Sequence, residues 1–358
     1  MRDSGWFAHG RRLFRLVDED VRALLPAIRW VGTFLLVVWF AWQTYDRVTF
    51  FTNQGFPVGI DATIYYRGVV AWLDGGDPWD AAVVVNGWSF HYAGSPVTTV
   101  LMAPAALVSE VTFTRIWVLA TWASAVWTLR RLNLPLWWLL FPPIGEALFS
   151  ANPQIVVLAL LVANHPLASA VATGLKVYAF IPLVGEGRWR HAWAGVGLVG
   201  ATAVIASDLW IDYIGKLGFI SRRLMDESTK GGSAFYYPEL LAVTVLALVL
   251  LALRDRRTAG WLAVPAVWPA SQFHYSTMAL PVMSPFLAVF LALPATHAAP
   301  IAIVLEAGRR LIQPLVMRLV ASLAGPPETV DVGDDAMPAP KMTGPDRPAE
   351  YHPRHDRE

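Results

Sequence analysis

Residues 59–67 carry the strongest chemical signal in the sequence. They read Gly-Ile-Asp-Ala-Thr-Ile-Tyr-Tyr-Arg, so Asp61 stands directly before an apolar pattern of helical spacing. One interpretation is structural, because an aspartate at a helix start accepts hydrogen bonds from unpaired backbone N–H groups. The other is catalytic, because a positioned carboxylate can take the proton from an attacking hydroxyl. The residues themselves leave both interpretations open.

Three further polar sites interrupt apolar stretches, where ionisable side chains are costly and are therefore candidates for function. Lys176 lies several residues from either end of its apolar run, so holding a phosphate and snorkelling to an interface are both open. Glu146 precedes the Asn-Pro-Gln triplet at 152–154, which predicts a helix break. Gln272 and His274 form the third site, where the imidazole suits a phosphate or hydroxyl contact as well as a hydrogen-bonded packing residue.

Polar features in the predicted loops have simpler explanations beside the functional ones. The Asp-Pro-Trp-Asp sequence at 77–80 follows two glycines and predicts a turn. His91, just before the next apolar run, is explained as a solvated loop histidine or as a substrate contact. The pair Arg222-Arg223 belongs either to a solvated loop or to a contact with anionic headgroups.

Composition places the chain in the membrane class. Hydrophobic residues make up 55% of the sequence and charged residues 15%, whereas soluble domains carry about a quarter charged residues. Many of the 17 tryptophans lie near the ends of apolar runs, as is typical of membrane interfaces. A net charge of +1 suggests no nucleic-acid partner, and the absence of cysteine excludes disulfides and thiolate chemistry. We therefore expect an all-α, polytopic bundle of transmembrane helices.

The first apolar run fixes the expected orientation. It covers residues 30–45 and is bounded by Arg29 and by Asp46-Arg47. Basic residues before it place the N-terminus in the cytoplasm, so the next loop lies outside. Further apolar runs lie at 96–109, 115–129, 134–149, 153–164, 166–185, 191–207, 238–253, 259–272 and 275–293. A last run at 298–323 is interrupted by Glu306, Arg309 and Arg310, so a span and a position in the membrane interface are both open.

These runs predict three regions and roughly ten spans. An amphipathic segment at 1–29 is expected on the cytoplasmic membrane surface. The transmembrane domain at 30–323 follows, with outer loops at 46–95, which has a helical part, and at 208–237. The Pro-rich, charged tail at 324–358 is expected to be disordered.

A series of short segments resembles a known family when the segments are taken in order. The segments are Asp61 with 65–67, 75–79, 92–96 with 102–104, 174–176 with Pro182 and 188–190, and 271–276 with Pro281. Together they resemble glycosyltransferase family 87, multi-span enzymes with the GT-C type of fold, over residues 28–293. No one motif is specific, so the resemblance depends on order and spacing. The sequence departs from the family at 94–96, where a double proline is usual, and at 152–154, where a Gly-Gln-x-Asn turn is usual.

The resemblance implies an enzyme of the plasma membrane with its active site on the extracytoplasmic face. It implies a polyprenyl-phosphate sugar as donor, a glycolipid or polysaccharide as acceptor, membrane lipids as partners, and inversion at the anomeric carbon. Neither a metal nor a cofactor is expected. In this scheme Asp61 is the catalytic base, and His274 and Lys176 stabilise the departing phosphate. The further substrate contacts that we expect are Tyr65, Tyr66, Arg67, His91 and Gln272.

Three alternatives stay open at this stage. The transferred sugar is expected to be a hexose, with mannose preferred, and arabinofuranose is the alternative within the family. A transporter or flippase for lipid-linked sugars would explain the spans, Lys176 and Glu146 equally well, although the polar loop at 46–95 and the lack of an internal repeat favour an enzyme. A non-catalytic envelope scaffold is the third reading, and the motif departures favour it.

Overall fold

The computed structural model describes residues 4–227, 232–269 and 271–324, and their regular secondary structure is helical apart from one short hairpin. The all-α class is thereby confirmed. The helices are α1 (Ser4–Asn53), α2 (Ile60–Leu73), α3 (Pro96–Met102), α4 (Glu110–Arg131), α5 (Pro142–Ser150), α6 (Pro153–Val162), α7 (Pro166–Leu175), α8 (Phe180–Gly185), α9 (Trp189–Ile205), α10 (Ser207–Glu227), α11 (Pro238–Ala252), α12 (Arg256–Val267), α13 (Pro285–Leu291) and α14 (Ala298–Ala324). The strands are β1 (Ala82–Val85) and β2 (Trp88–His91), and 3₁₀ segments lie at Pro78–Asp80, Ala103–Leu107, Leu136–Leu140, Val177–Ala179, Ala234–Tyr236 and Phe273–Val282.

Helices α5 and α6 occupy the centre of the first of two units, which ends at Leu315; the second unit is described only as the end of α14. Helix α5 contacts α1 and the 3₁₀ segment Phe273–Val282, and α6 contacts α4, α7 and the same segment. Their side chains are correspondingly buried, and Ile144 and Ile155 are each 1% exposed. Because both helices face protein on most sides, a break between them must be satisfied by protein groups.

The predicted helix break at 152–154 is confirmed. Ala151 has a left-handed backbone with φ of 53°, which ends α5. Asn152 then caps α6, since its side-chain oxygen accepts a hydrogen bond from the backbone N–H of Gln154 at 2.9 Å. Pro153 takes the first helical position, where its missing N–H costs nothing. The chain bends by 116° at this break.

Helix α2 begins at a position that requires glycine. Gly59 has φ of +84°, and its N–H donates to the carbonyl of Phe149 at 2.8 Å. A β-carbon on Gly59 would lie 2.8 Å from the Thr114 methyl group on α4, so both conformation and space exclude a side chain. Gly59 is therefore the N-cap, and the interpretation of Asp61 as the cap is wrong because Asp61 lies within the first turn.

No described helix is by itself both long enough and apolar enough to cross a membrane. Three pairs of consecutive segments satisfy that requirement of length and composition together, each with a sharp bend. They are Pro96–Leu107 with Glu110–Arg131 (119°), Pro142–Ser150 with Pro153–Val162 (116°) and Trp189–Ile205 with Ser207–Asp226 (107°). The multi-span arrangement, with roughly ten spans, stays a prediction.

The two predicted outer loops contain more regular structure than the sequence analysis expected. Helix α1 continues to Asn53, and β1 and β2 form an antiparallel hairpin between α2 and α3. Asn86 and Gly87 at its tip have φ of 49° and 85°, as the favoured two-residue hairpin turn requires. Most of 208–237 is helix α10.

The structure describes part of the two terminal regions that the sequence predicts, 1–29 and 324–358. Helix α1 starts at Ser4 and joins the segment 1–29 to the first apolar run without interruption. The side chains of 4–25 lie outside the described part, so the amphipathic interpretation stays a prediction. The predicted tail 324–358 lies outside the described residues from 325 onward.

The charged residues of the last apolar run form ion pairs with one another and with Asp255. Glu306 is fully buried and lies 2.7 Å from both Arg309 and Arg310. Arg310 also contacts Asp255 before α12, at 3.0 Å. Burial raises the pKa of Asp255, but hydrogen bonds from Thr258 and Arg310 lower it by more, so the net shift is downward. Ion pairs therefore join α12 to α14.

We predict that Gly59→Ala lowers the thermal unfolding midpoint of the purified protein more than Gly75→Ala does. Both glycines have left-handed backbones, with φ of 84° and 80°, where a β-carbon costs about 1–2 kcal/mol. Gly75 has open space around it, whereas Gly59 faces Thr114. The difference between the two midpoints therefore measures the contact of α2 with α4, and equal midpoints would contradict that contact.

Candidate functional site

One face of α1 carries the first part of the site. Phe40, Thr44, Arg47 and Phe51 follow the spacing i, i+4, i+7 and i+11, which places them on one side of a helix. This side packs on α5, and near the C-terminal end of α1 the rings of Phe51 and Phe149 stack with centroids 5.6 Å apart. The same packing brings the Arg47 guanidinium to α5.

A cavity of about 450 Å³ lies beside this contact. The ends of α1 and α5, the start of α2, strand β2 and the start of α14 contribute to its walls, as do residues 271–276. Three of the predicted site residues line it, namely Asp61, Gln272 and His274. Its aromatic lining residues are Phe50, Phe51, Phe56, Trp88, Phe90, Phe149 and Phe273, and its other polar or charged ones are Arg47, Gln54, Glu146, Ser150, Ser271, Ser276 and Thr296.

Asp61 reaches the cavity from the first turn of α2 and is half-buried. One of its carboxylate oxygens, Oδ2, accepts a hydrogen bond from the Asn152 side-chain amide at 2.7 Å. Asn152 is the cap of α6, so this bond joins two helix starts that are 91 residues apart in sequence. A half-buried carboxylate with a neutral donor beside it is well placed to act as a base.

A network of polar side chains centred on the buried Glu146 lines the same cavity. The Arg47 Nε donates to Glu146 Oε2 at 2.6 Å, and the guanidinium lies 4.7 Å from the centroid of the Phe51 ring. His274 Nδ1 lies 3.2 Å from Glu146 Oε1, with the two side chains 3% and 8% exposed. A carboxylate at Nδ1 favours a proton on that nitrogen. The other ring nitrogen, Nε2, has no hydrogen-bond partner among the described residues.

Lys176 lies close to this site but outside the cavity lining. It follows the last residue of α7, and its ammonium group lies 5.6 Å from the centroid of the Tyr65 ring. The Asp61 carboxylate and the hydroxyl group of Tyr275 lie near enough to interact with this ammonium group. Tyr65 itself is 6% exposed, and its ring meets Tyr92 edge-on at 5.4 Å. Lys176 and Tyr65 therefore interact with each other close to Asp61, outside the cavity lining.

Three predicted substrate contacts lie away from the cavity. The Tyr66 hydroxyl donates to the carbonyl of Val108 at 3.0 Å. Arg67 is exposed and contacts Glu110 on α4 through two hydrogen bonds of 2.9 and 3.2 Å. His91 ends strand β2 beside Trp79, in a separate and much smaller pocket. The contacts of Tyr66 and Arg67 therefore join α2 to α4 and to Val108 just before it. His91 lies beside Trp79, which belongs to the same predicted loop 46–95.

Two residues of the site were not among the sequence predictions. In the sequence, Arg47 marks the charged boundary of the first apolar run, and Asn152 belongs to the predicted helix break. The spacing of Phe40, Thr44 and Arg47 was the available signal for the first. For Asn152 the cap was foreseeable, but its contact with Asp61 depends on tertiary structure.

The cavity therefore combines a candidate base, a guanidinium and an imidazole with aromatic walls. Such a set can bind an anionic group and deprotonate a hydroxyl beside it. Among the described residues, no three His, Asp or Glu side chains are grouped so as to hold a metal ion. Comparisons with protein-family models, with curated proteins and with solved structures found no match.

We predict that Glu146→Gln lowers the thermal unfolding midpoint more than Glu110→Gln. Removing one partner of a buried pair costs about 3–5 kcal/mol, whereas an exposed pair contributes about 0–1 kcal/mol. Glu146 is 8% exposed and Arg47 32%, against 37% and 43% for Glu110 and Arg67. Arg47 is partly exposed to solvent. We therefore expect Glu146→Gln to lower the free energy of unfolding by less than the loss of a fully buried pair does, and by more than Glu110→Gln does. Equal midpoints would contradict the network.

Proposed function

We propose that this chain is a membrane glycosyltransferase that moves a hexose, with mannose as first candidate, from a polyprenyl-phosphate sugar to a cell-envelope glycolipid or polysaccharide. The reaction takes place at the outer face of the plasma membrane and inverts the anomeric carbon. The observation that carries the proposal is the shared cavity, in which Asp61 faces the same space as Arg47 and His274.

The chemistry needs few groups because the donor is already activated. The acceptor oxygen forms a bond to the anomeric carbon while the bond from that carbon to the phosphate oxygen breaks. Asp61 takes the acceptor proton, and the polyprenyl phosphate leaves with the electron pair. Arg47 offsets the charge that develops on the phosphate, and His274 does so when both of its ring nitrogens carry a proton, because its Nδ1 faces Glu146. Arg47 takes the role that the sequence suggested for Lys176, because Arg47 lines the cavity and Lys176 does not.

The cavity walls suit both parts of the donor. Phe51, Phe56 and Phe149 provide apolar surface for the lipid and for the C–H face of a sugar ring. Gln272 and Gln54 provide hydrogen-bonding groups in the same lining. A pocket that combines aromatic walls with polar and charged groups is typical of small-molecule sites.

Several features of the bundle support a membrane location of the GT-C type. Trp30, Phe34 and Trp42 on α1 are 77%, 66% and 65% exposed, which is costly in water and favourable in lipid. Helices α8 and α12 approach through Gly185 and Gly260, where a β-carbon on Gly185 would lie 2.8 Å from the other Cα. Such close contacts through small residues are typical of helices packed in a bilayer.

We predict that Asp61→Asn abolishes transfer of label from polyprenyl-phosphate mannose to a glycolipid fraction in membranes that contain this chain. Loss of a general base costs roughly 10²–10⁴-fold in rate, and asparagine keeps the shape of the side chain. Asp74→Asn, an exposed carboxylate at the end of α2, is the matched control and should keep the wild-type rate.

The same assay is repeated with polyprenyl-phosphate arabinofuranose in place of polyprenyl-phosphate mannose as the sugar donor. Labelling from polyprenyl-phosphate arabinofuranose, and not from mannose, would change the sugar and keep the enzyme class. Equal transfer by wild type and Asp61→Asn would exclude Asp61 as the base. Movement of the lipid-linked sugar across the bilayer without transfer would replace the proposal by the transporter alternative.

We also predict that Arg47→Gln raises KM for the lipid-phosphate donor with a smaller effect on KM for the acceptor. A charged hydrogen bond contributes about 1.5–3 kcal/mol, which corresponds to roughly 10- to 100-fold in donor affinity. Arg309→Gln is the matched control, since Arg309 also pairs with a buried glutamate but lies outside the cavity lining. An equal rise for donor and acceptor would indicate general damage to the fold.

A further inference from the structure

We propose that Asn152 is the positioning residue of the Asp61 base, holding one carboxylate oxygen and leaving the other for the acceptor proton. The catalytic consequence of this inference rests on the proposed function. The contact between Asn152 and Asp61 is given by the geometry of the break between α5 and α6.

The orientation of the Asn152 amide follows from its two hydrogen bonds. Its oxygen accepts from the backbone N–H of Gln154 at 2.9 Å, which is the cap of α6. A backbone N–H is always a donor, so the oxygen must occupy that side. The nitrogen must then face Asp61, where it lies 2.7 Å from Oδ2. The cap therefore decides which end of the amide meets the carboxylate.

Backbone contacts fix both ends of this hydrogen bond. On one side, the left-handed Ala151 places Asn152, and the Trp117 indole donates to the Ala151 carbonyl at 3.0 Å. On the other side, Gly59 anchors the start of α2 to Phe149 at 2.8 Å. The bond between Asn152 and Asp61 thus connects two rigid segments, and little side-chain entropy opposes it.

The consequence for the carboxylate is both geometric and electrostatic. With Oδ2 engaged by the amide, Oδ1 is the oxygen left to take a proton. An N–H donor favours the ionised form of the carboxylate, which is the form that a base must have. Other titratable or charged groups also surround Asp61, and they are the same in every variant below. They are Tyr65 from α2, Lys176 after α7, Tyr275 and His274 from the 3₁₀ segment Phe273–Val282, Arg47 from α1 and Glu146 from α5.

Two substitutions of Asn152 keep the cap of α6 and remove the hydrogen bond to Asp61. Asn152→Asp and Asn152→Ser both keep a good N-cap, since all three residue types are favoured at that position. Asn152→Asp replaces the donor by a second carboxylate close to Asp61, so the two carboxylates would share a proton. The serine side chain in Asn152→Ser is one bond shorter, so its hydroxyl caps the helix without reaching Asp61, and no charge is added.

The first readout is the pH profile of mannosyl transfer. For Asn152→Asp we expect the acid limb to move up by about one pH unit or more, with activity recovered in part at higher pH. For Asn152→Ser we expect a roughly 10- to 100-fold lower rate at neutral pH, because a hydrogen bond to a charged group is lost. Ser284→Ala, which removes the N-cap of α13, controls for the loss of a cap away from the site.

The second readout does not require activity. Infrared titration of protein labelled with ¹³C at the aspartate carboxyl, minus the spectrum of the matching Asp61→Asn protein, gives the pH at which Asp61 is half protonated. We expect this midpoint to be higher in Asn152→Asp and Asn152→Ser than in the wild type, and unchanged in Ser284→Ala.

The outcomes distinguish the two proposals. If the wild type transfers no sugar, the proposed function fails, and the infrared midpoints still decide whether Asn152 acts on Asp61. If the wild type transfers sugar while both Asn152 variants keep its pH profile and its infrared midpoint, Asn152 is a helix cap alone and the inference is overturned. Shifted midpoints with the expected loss of transfer support both.

Discussion

The site depends on a break in a buried helix pair. Where α5 ends at Ala151 and α6 starts at Pro153, the backbone loses its regular hydrogen bonds inside the protein. Buried backbone groups without partners cost free energy comparable to a lost hydrogen bond, so the break has to be satisfied locally. Asn152 supplies that partner by capping α6. Because one side of its amide is used for the cap, the other side becomes a fixed donor that Asp61 meets.

The second constraint is the packing of α1 on α5. A single face of α1, from Phe40 to Phe51, places its guanidinium next to the one carboxylate of α5. Arg47 and Glu146 are 99 residues apart in sequence, and His274 is a further 128 from Glu146. Regular helical segments hold all three residues, so the network can stay fixed while the cavity beside it stays open.

The sequence predicted those parts of the fold that depend on local pattern. The helical class, the turn capped by Asp77 and the break at 152–154 follow from composition, proline and short polar side chains, and the structure confirms them. The Asn86-Gly87 hairpin also had a local signal, although it was not used. Helix α10 was missed because its many charged residues suggested a loop, whereas Lys216 pairs with Asp77 across 139 residues.

The candidate site was less accessible from the sequence for a physical reason. Asp61, Gln272 and His274 carry chemical types that drew attention by themselves, and the structure places them on one cavity. Tyr66, Arg67 and His91 are also residue types that often contact substrates. Their side chains, however, contact other parts of the protein away from this cavity. Whether a polar side chain is free to bind a substrate depends on its tertiary partners, and these lie far away in sequence.

The partners of the carboxylates separate structural groups from the candidate base. Glu306 contacts Arg309 and Arg310, and Glu186 contacts Arg257. A carboxylate in direct contact with guanidinium groups is stabilised in its charged form and is a weak proton acceptor. Asp61 instead receives its described hydrogen bond from a neutral amide. A neutral donor fixes direction while it withdraws less basicity than a cation does, and a carboxylate that must accept a proton at a defined place needs that combination.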